Sequence, residues 1–314
     1  MKKTCAVIIA CMLALSLLAA CGSKNDNPPA SDAITQVPDN SNVPLSETTP
    51  GNPAPNFNAN SNISVVTREE GSGTRDAVRD LFDIKDADGK ENVTPEAIVQ
   101  DSTGNLMTSV ANNPYAIGYC SLASLNDTVK ALDIDGVAAT SANVKNGSYK
   151  IQRPFYLATM GEANGLAKDF IEFILSAEGQ QAAIKRCIPI DDNAPAYSGG
   201  APAGRIVVGG SSSVSPVMED LIAAYKAINP NAEIELQTSD SSKGMSDAKS
   251  GAYDIGMASR KLKDTEIDDG LVPIYIAIDG IAVIVNSGNP ISAMTSEQVK
   301  NIYNGGIANW NGVQ

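Results

Sequence analysis

The chain has 314 residues, 43% of them hydrophobic, with 23 Lys and Arg set against 36 Asp and Glu for a formal charge of −13. That apolar content supports a folded core in one large or two modest domains, and the acidic balance argues against a nucleic-acid partner, whose phosphates are gripped by clustered Lys and Arg. Histidine is absent, which removes the usual general base, the commonest metal ligand and the ordinary Ser-His-Asp triad together.

The chain opens on MKKTCAVIIACMLALSLLAAC, with Lys2 and Lys3 ahead of an apolar run from Cys5 to Leu18. This pattern predicts a signal peptide over residues 1–20, the apolar run being short against the about 20 residues of a membrane span. The tetrad LAAC before Gly22 resembles a bacterial lipobox, which implies cleavage before Cys21, diacylglycerol on its thiol and a palmitate-bearing lipid anchor. Residues 21–60 are rich in Pro, Asn, Ser and Asp with no apolar periodicity, and read as a disordered spacer that holds the folded part off the membrane. Of the five cysteines, Cys120 and Cys187 stand alone beyond the leader, without the short spacing of a zinc site; a disulfide between them is not expected, nor is any metal or cofactor.

From Ile63 short β-branched runs alternate with amphipathic segments. ISVV reads as a strand and TRDAVRDLF as a helix; YAIGYCSL and RPFYLATM read as further strands. The apolar spacing of Leu166, Phe170, Ile171, Phe173, Ile174 and Ile184 predicts one helix over residues 165–186, its aromatics serving the core. Residues 191–204 form a Gly/Pro-rich linker between two segments, 61–190 and 205–314. The second segment reads as the strand RIVV, a Gly/Ser turn, the helix SPVMEDLIAAYKAIN, the strand AEIELQTS, a helix over SSKGMSDAKSG, short strands at YDIGMASR and GIAVIVN, and a last helix at TSEQVKNIYNG. Strands separated by helices predict an α/β architecture with mainly parallel sheet.

Three loops share one design. GSGTRD (residues 71–76), GGSSSVSP (209–216) and TSDSSKG (238–244) each place hydroxyls and small residues at the start of a predicted helix, where free N–H groups and the positive end of the helix dipole meet. Arg68 and Arg75 flank the first loop. Hydroxyls, backbone donors and an arginine fork describe a cage for a small oxyanion. No Lys follows a glycine in the Walker frame, and a serine nucleophile at Ser72 or Ser213 would lack both an activating histidine and a G-x-S-x-G elbow; the chain is not expected to be an enzyme.

The motifs VVTREEGSGTRD, YAIGYCSL, IVVGGSSSVSPVMEDL, DIGMASRKLK and VKNIYNGGIANWNG resemble those of the substrate-binding lipoproteins of bacterial phosphate ABC transporters, and the likeness spans nearly all of Ile63 to Gln314. The resemblance implies the two-lobed periplasmic-binding-protein type II fold, closing about a hinge on one phosphate. It places the ligand contacts on Arg68, Ser72, Gly73, Thr74, Ser213, the backbone N–H of Val214, and Ser241. Many relatives carry an aspartate that accepts the phosphate proton where this chain has Arg260, so Arg260 joins the candidates, selectivity against sulfate is put in question, and Glu69 and Glu70 stand as alternative acceptors.

The order of the halves departs from that family. Here the GSGTR half precedes the GGSSSVSP half, as in a circularly permuted chain or in the front of a longer one, truncation being the favoured expectation. The corresponding lobe map pairs residues 161–190 with 204–291, and 60–160 with 292–314. The implied function is high-affinity capture of inorganic phosphate by a lipid-anchored monomer on the extracytoplasmic face of the cell membrane, and delivery to ABC permease subunits. A sensor or binding protein for another tetrahedral oxyanion is the alternative, and a serine hydrolase a more distant one.

Overall fold

A computed structural model describes residues 57–313, so the signal peptide, Cys21 and most of the spacer lie outside the described residues. The first elements are β1 (Ser64–Arg68), α1 (Gly73–Leu81), β2 (Ile98–Gln100), α2 (Thr103–Ala111) and β3 (Ala116–Ser121). They are followed by β4 (Val129–Ala131), β5 (Asp133–Ile134), α3 (Ser141–Lys145) and β6 (Gln152–Met160). The chain continues through α4 (Gly165–Ile174), α5 (Ala177–Ala183), β7 (Ile188–Pro189), β8 (Gly204–Ser211), α6 (Ser215–Ile228) and β9 (Ala232–Ser239). It closes with α7 (Ser241–Ser250), β10 (Ile255–Ala258), α8 (Asp264–Asp268), β11 (Leu271–Asn286), β12 (Ala293–Met294), α9 (Ser296–Tyr303) and a 3-10 turn at Trp310–Val313.

The main sheet runs β2-β1-β3-β11-β6-β10-β8-β9. Its two ends are parallel, as the alternation of strands and helices predicts, with β1 between β2 and β3, and β8 between β9 and β10. The middle is antiparallel: β11 pairs with β3 and β6, and β6 with β10. The expectation of mainly parallel sheet therefore fails at the centre, where β11 is 16 residues long and runs through both halves of the molecule.

Two large hydrophobic cores flank that centre. The first gathers Val65, Leu106, Ile117, Ile151, Ile281, Val283, Val299 and Trp310. The second gathers Phe155, Phe170, Phe173, Val208, Leu221, Tyr225, Met257 and Ile276. The change of core thus falls between Ile151, just before β6, and Phe155 within it, and between Ala277 and Ile281 in β11. This moves the lobe boundaries inward from residues 160 and 291, because a strand that crosses between lobes shares its side chains between both cores.

Three smaller differences have local causes. The helix expected over 165–186 is two, broken at Leu175 and Ser176, where Ser176 caps α5 by accepting from Gly179 N and the Gln180 amide donates to Ile174 O at 2.9 Å; Ile184 is 46% exposed rather than core. The 191–204 stretch has little regular structure but is strapped down, Tyr197 Oη and Gly200 N donating to the buried Asp169 carboxylate. Phe57, assigned to the spacer, packs on Tyr115 and Trp310 with ring centroids 5.2 and 5.9 Å away, so the folded part already includes residue 57.

The first and last described segments lie together. Ile63 N donates to Ala308 O at 2.8 Å, Asn311 N donates to Ala59 O at 2.7 Å, and Asn62 bridges Asn309. Residues 57–313 thereby close into one unit that carries both cores. Cys120 and Cys187 are both free and buried, and burial pushes both thiols well above their ordinary range.

Candidate anion-binding site

Four helix starts, one more than the sequence pattern shows, converge between the two cores. α1 and α2 come from the first, α6 comes from the second, and α7 comes from a smaller cluster beside the second that gathers Met245, Ala248, Ala258 and Leu271. Each begins just after a strand, so its first-turn N–H groups lack intrahelical carbonyl partners and its positive dipole end faces the gap.

The hydroxyls at these starts touch one another across the gap. Thr74 Oγ1 lies 2.8 Å from Ser213 Oγ, and Thr103 Oγ1 lies 3.1 Å from Ser213 Oγ and 3.2 Å from Ser212 Oγ. Ser241 Oγ lies 3.3 Å from Ser259 Oγ and accepts from Ser259 N at 3.0 Å. All six of these residues are buried, with Ser213, Ser241 and Ser259 at 0% exposure. Gly73 is what lets the halves approach, since a Cβ there would sit 2.6 Å from Ser241 Oγ and 2.7 Å from Ser259 Oγ. Gly71 serves the same approach at φ 90°, with its carbonyl accepting from Ser242 N at 3.2 Å.

The two arginines of REEGSGTRD have different jobs. Arg68 is 2% exposed at the end of β1; its Nη1 donates to Thr103 Oγ1 at 3.0 Å, while Nε and Nη2 fork onto Glu69 at 2.7 and 2.6 Å. Tyr119 Oη steadies the strand end, accepting from Arg68 N at 3.1 Å and meeting Thr67 Oγ1 at 2.8 Å; burial pushes this phenol up to about 12, so it stays protonated. Arg75 instead forks onto Glu91 and donates to Arg68 O at 2.8 Å, and its pKa is raised chiefly by the Glu91 hydrogen bond. It braces the loop from outside the hydroxyl cluster.

Of the sequence candidates, Arg68, Gly73, Thr74, Ser213 and Ser241 come together in this cluster. Ser72 is buried beside it as the cap of α1, accepting from Arg75 N at 3.4 Å. Val214 is the N-cap of α6, but its N–H already donates to Ser211 O at 2.9 Å and its side chain is in the second core. Arg260 follows Ser259, yet its guanidinium turns to Glu266 at 2.8 and 2.9 Å, Lys261 O and Ser242 Oγ, with Nε 3.6 Å from Asp76 Oδ2. Glu69 holds Arg68 and is not a solvated loop charge, whereas Glu70 is exposed.

Thr103, Ser212 and Ser259 were missed in the sequence reading. Thr103 stands in DSTGN, which has the same hydroxyl-plus-glycine design as the other loops, but it follows a strand of three residues with Ile98 and Val99 exposed. Among the described residues there is no cluster of acidic, cysteine or histidine ligands for a metal ion.

Two cores joined by crossing strands, with helix starts facing one buried polar cluster, define a two-lobed binding protein of the periplasmic-binding-protein type II fold. A family model described as PBP superfamily domain matches residues 40–178 and 195–313. The phosphate-binding protein PstS 2 of Streptococcus agalactiae serotype V is 46% identical over 254 residues, covering 79% of this chain and 86% of the relative. The protein of the same name from Streptococcus pneumoniae serotype 4 is 39% identical over 260 residues, covering 82% and 89%. The crystal structure of a phosphate ABC transporter phosphate-binding protein from S. pneumoniae TIGR4 superposes with a TM-score of 0.64 at 38% identity, covering 81% of this chain and all of the other. The chain belongs to the PBP superfamily and, within it, to the family of the PstS phosphate-binding proteins.

Proposed function

We propose that this protein binds inorganic phosphate outside the cell and hands it to the permease subunits of an ABC transporter, without chemistry on the ligand. The observation that carries this reading is the buried hydroxyl cluster at four helix starts, with the Arg68 guanidinium donating into it. A tetrahedral oxyanion stripped of water needs many short, directional donors on several sides, and such a cluster supplies them from both lobes. Arg68, Ser72, Gly73, Thr74, Ser213 and Ser241 are the proposed ligand residues, with Thr103, Ser212 and Ser259 added and with Val214 and Arg260 acting from behind. The names of the streptococcal relatives support phosphate as the anion. In this reading the protein is a monomer, held at the extracytoplasmic face by lipid on Cys21.

Titration calorimetry on the full chain in mild detergent tests the site. Phosphate binding is expected, and Arg68→Ala should weaken it by at least tenfold, about 1.4 kcal/mol. Equal affinity in that variant would overturn the assignment. Competition with sulfate tests the ligand: sulfate displacing phosphate at equal concentration would favour a broader oxyanion binder.

A further inference from the structure

The strands that carry the lobes hold a buried charge pair at their crossing. Arg153 on β6 and Asp279 on β11 are register partners, at the step where each strand passes from one core to the other. Arg153 Nη2 donates to Asp279 Oδ2 at 3.1 Å, and the two side chains are 2% and 0% exposed. The other carboxylate oxygen accepts from Ser121 Oγ at 2.8 Å and Ala123 N at 3.2 Å, tying in the end of β3. Asp279 is therefore held by a third segment that bridges the cores, since Ala123 packs in the second.

The arginine is under-satisfied. Its Nε and Nη1 are buried without a hydrogen-bond partner, and its guanidinium lies 5.5 Å from the Phe155 ring centroid. A buried guanidinium with a single hydrogen bond keeps much of its field, because the protein interior screens a charge less than bulk water does. Arg153 lines one cavity with Asp76 of the first turn of α1 and with Arg260, and the positive charge of Arg68 lowers its proton affinity, a smaller influence than burial and than the opposing Asp279.

We infer that Arg153 is a positioning cation for the anion site, that Asp279 sets how much of its charge the bound anion feels, and that protonation of Asp279 therefore tightens anion binding. The inference rests on the phosphate-binding reading above. Burial, only partly offset by Arg153, Ser121 and Ala123, pushes the Asp279 carboxyl up to about 6, so it is mostly ionised at pH 8 and mostly neutral at pH 5. The other titratable groups facing it are the Cys120 thiol from β3 and the Cys187 thiol beside β7; burial keeps both neutral through this range. Asp279 is thus the group in this buried cluster that changes charge between pH 5 and pH 8.

The test compares phosphate affinities of the wild-type full chain and Asp279→Asn at pH 8 and pH 5. The ligand's own ionisation is common to both proteins and cancels in their ratio. At pH 8 the variant should bind about fivefold tighter, and at pH 5 the two should agree within about twofold, because neutral Asp279 in the wild type then resembles asparagine. A merely structural role for the pair predicts weaker binding in the variant by a factor that does not change with pH, and that result overturns the inference. Should Asp279→Asn fail to fold, the double variant Arg153→Met/Asp279→Asn carries the test. The wild type should gain affinity relative to it on going from pH 8 to pH 5, and a flat ratio overturns the inference. Absence of phosphate binding by the wild type would instead overturn the functional reading itself.

Discussion

At the scale of single residues, the site depends on atoms that are absent as much as on atoms that are present. Gly73 has no room for a methyl group between Ser241 Oγ and Ser259 Oγ. In Gly73→Ala the two halves must stand apart by roughly the overlap, and donors fixed to opposite lobes no longer reach one anion together. Phosphate affinity is expected to fall about a hundredfold, near 2.7 kcal/mol, while the thermal unfolding of the ligand-free variant stays close to that of the wild type; calorimetry and a melting curve check both. The Thr74 hydroxyl can be removed at constant shape by Thr74→Val, which leaves Ser213 without that contact and should cost about 1–2 kcal/mol of binding. These residues were legible because each glycine-hydroxyl loop sits just after a β-branched run. Ser259 was not, since in DIGMASRK the eye stops at Arg260, whose long side chain turns out to be engaged by Glu266 and Ser242.

At the scale of elements, most strands and helix starts were visible in the sequence, and the misreadings trace to residues whose usual meaning is reversed by burial. The sequence predicts a short strand at GIAVIVN, just after Asp279, a residue type that is ordinarily depleted within strands. In the fold it continues one strand, because Arg153, Ser121 and Ala123 satisfy the carboxylate from neighbouring segments. Ser176 works the other way: within a run of helix-compatible spacing it ends one helix and caps the next. Gln180 then closes the break, its amide donating to Ile174 O and its carbonyl oxygen accepting from Ile190 N at 3.0 Å. Gln180→Ala strands both backbone groups in a buried setting and should cost about 1–3 kcal/mol. It would be seen as a lower urea midpoint at unchanged phosphate affinity, since α5 lies in the second core away from the hydroxyl cluster.

At the scale of the whole molecule, the two-lobed design was legible through family motifs, but the lobe boundaries were not, because crossing strands carry no mark in sequence where one core gives way to the other. The contacts that span the lobes near the site fall into two kinds. Thr74 to Ser213 and Thr103 to Ser212 join hydroxyls that would face the anion. Gly71 O to Ser242 N, and Asp76 to Arg260 at 3.6 Å, join the lobes without belonging to that cluster. The second kind acts on closure. A closure contact is made after the anion has reached the open site, so its loss should appear in the dissociation rate and leave association nearly untouched. Arg260→Ala removes the Asp76 and Ser242 contacts together and frees Glu266, and should speed phosphate release about fivefold at an unchanged association rate. Asp76→Asn, which removes one of those contacts, should give a smaller effect of the same sign. Stopped-flow fluorescence with a dye placed at a lobe edge reads both rates. If Arg260→Ala instead slows association and costs as much affinity as Arg68→Ala, Arg260 grips the anion directly, and its turn towards Glu266 belongs to only one of the positions its side chain takes.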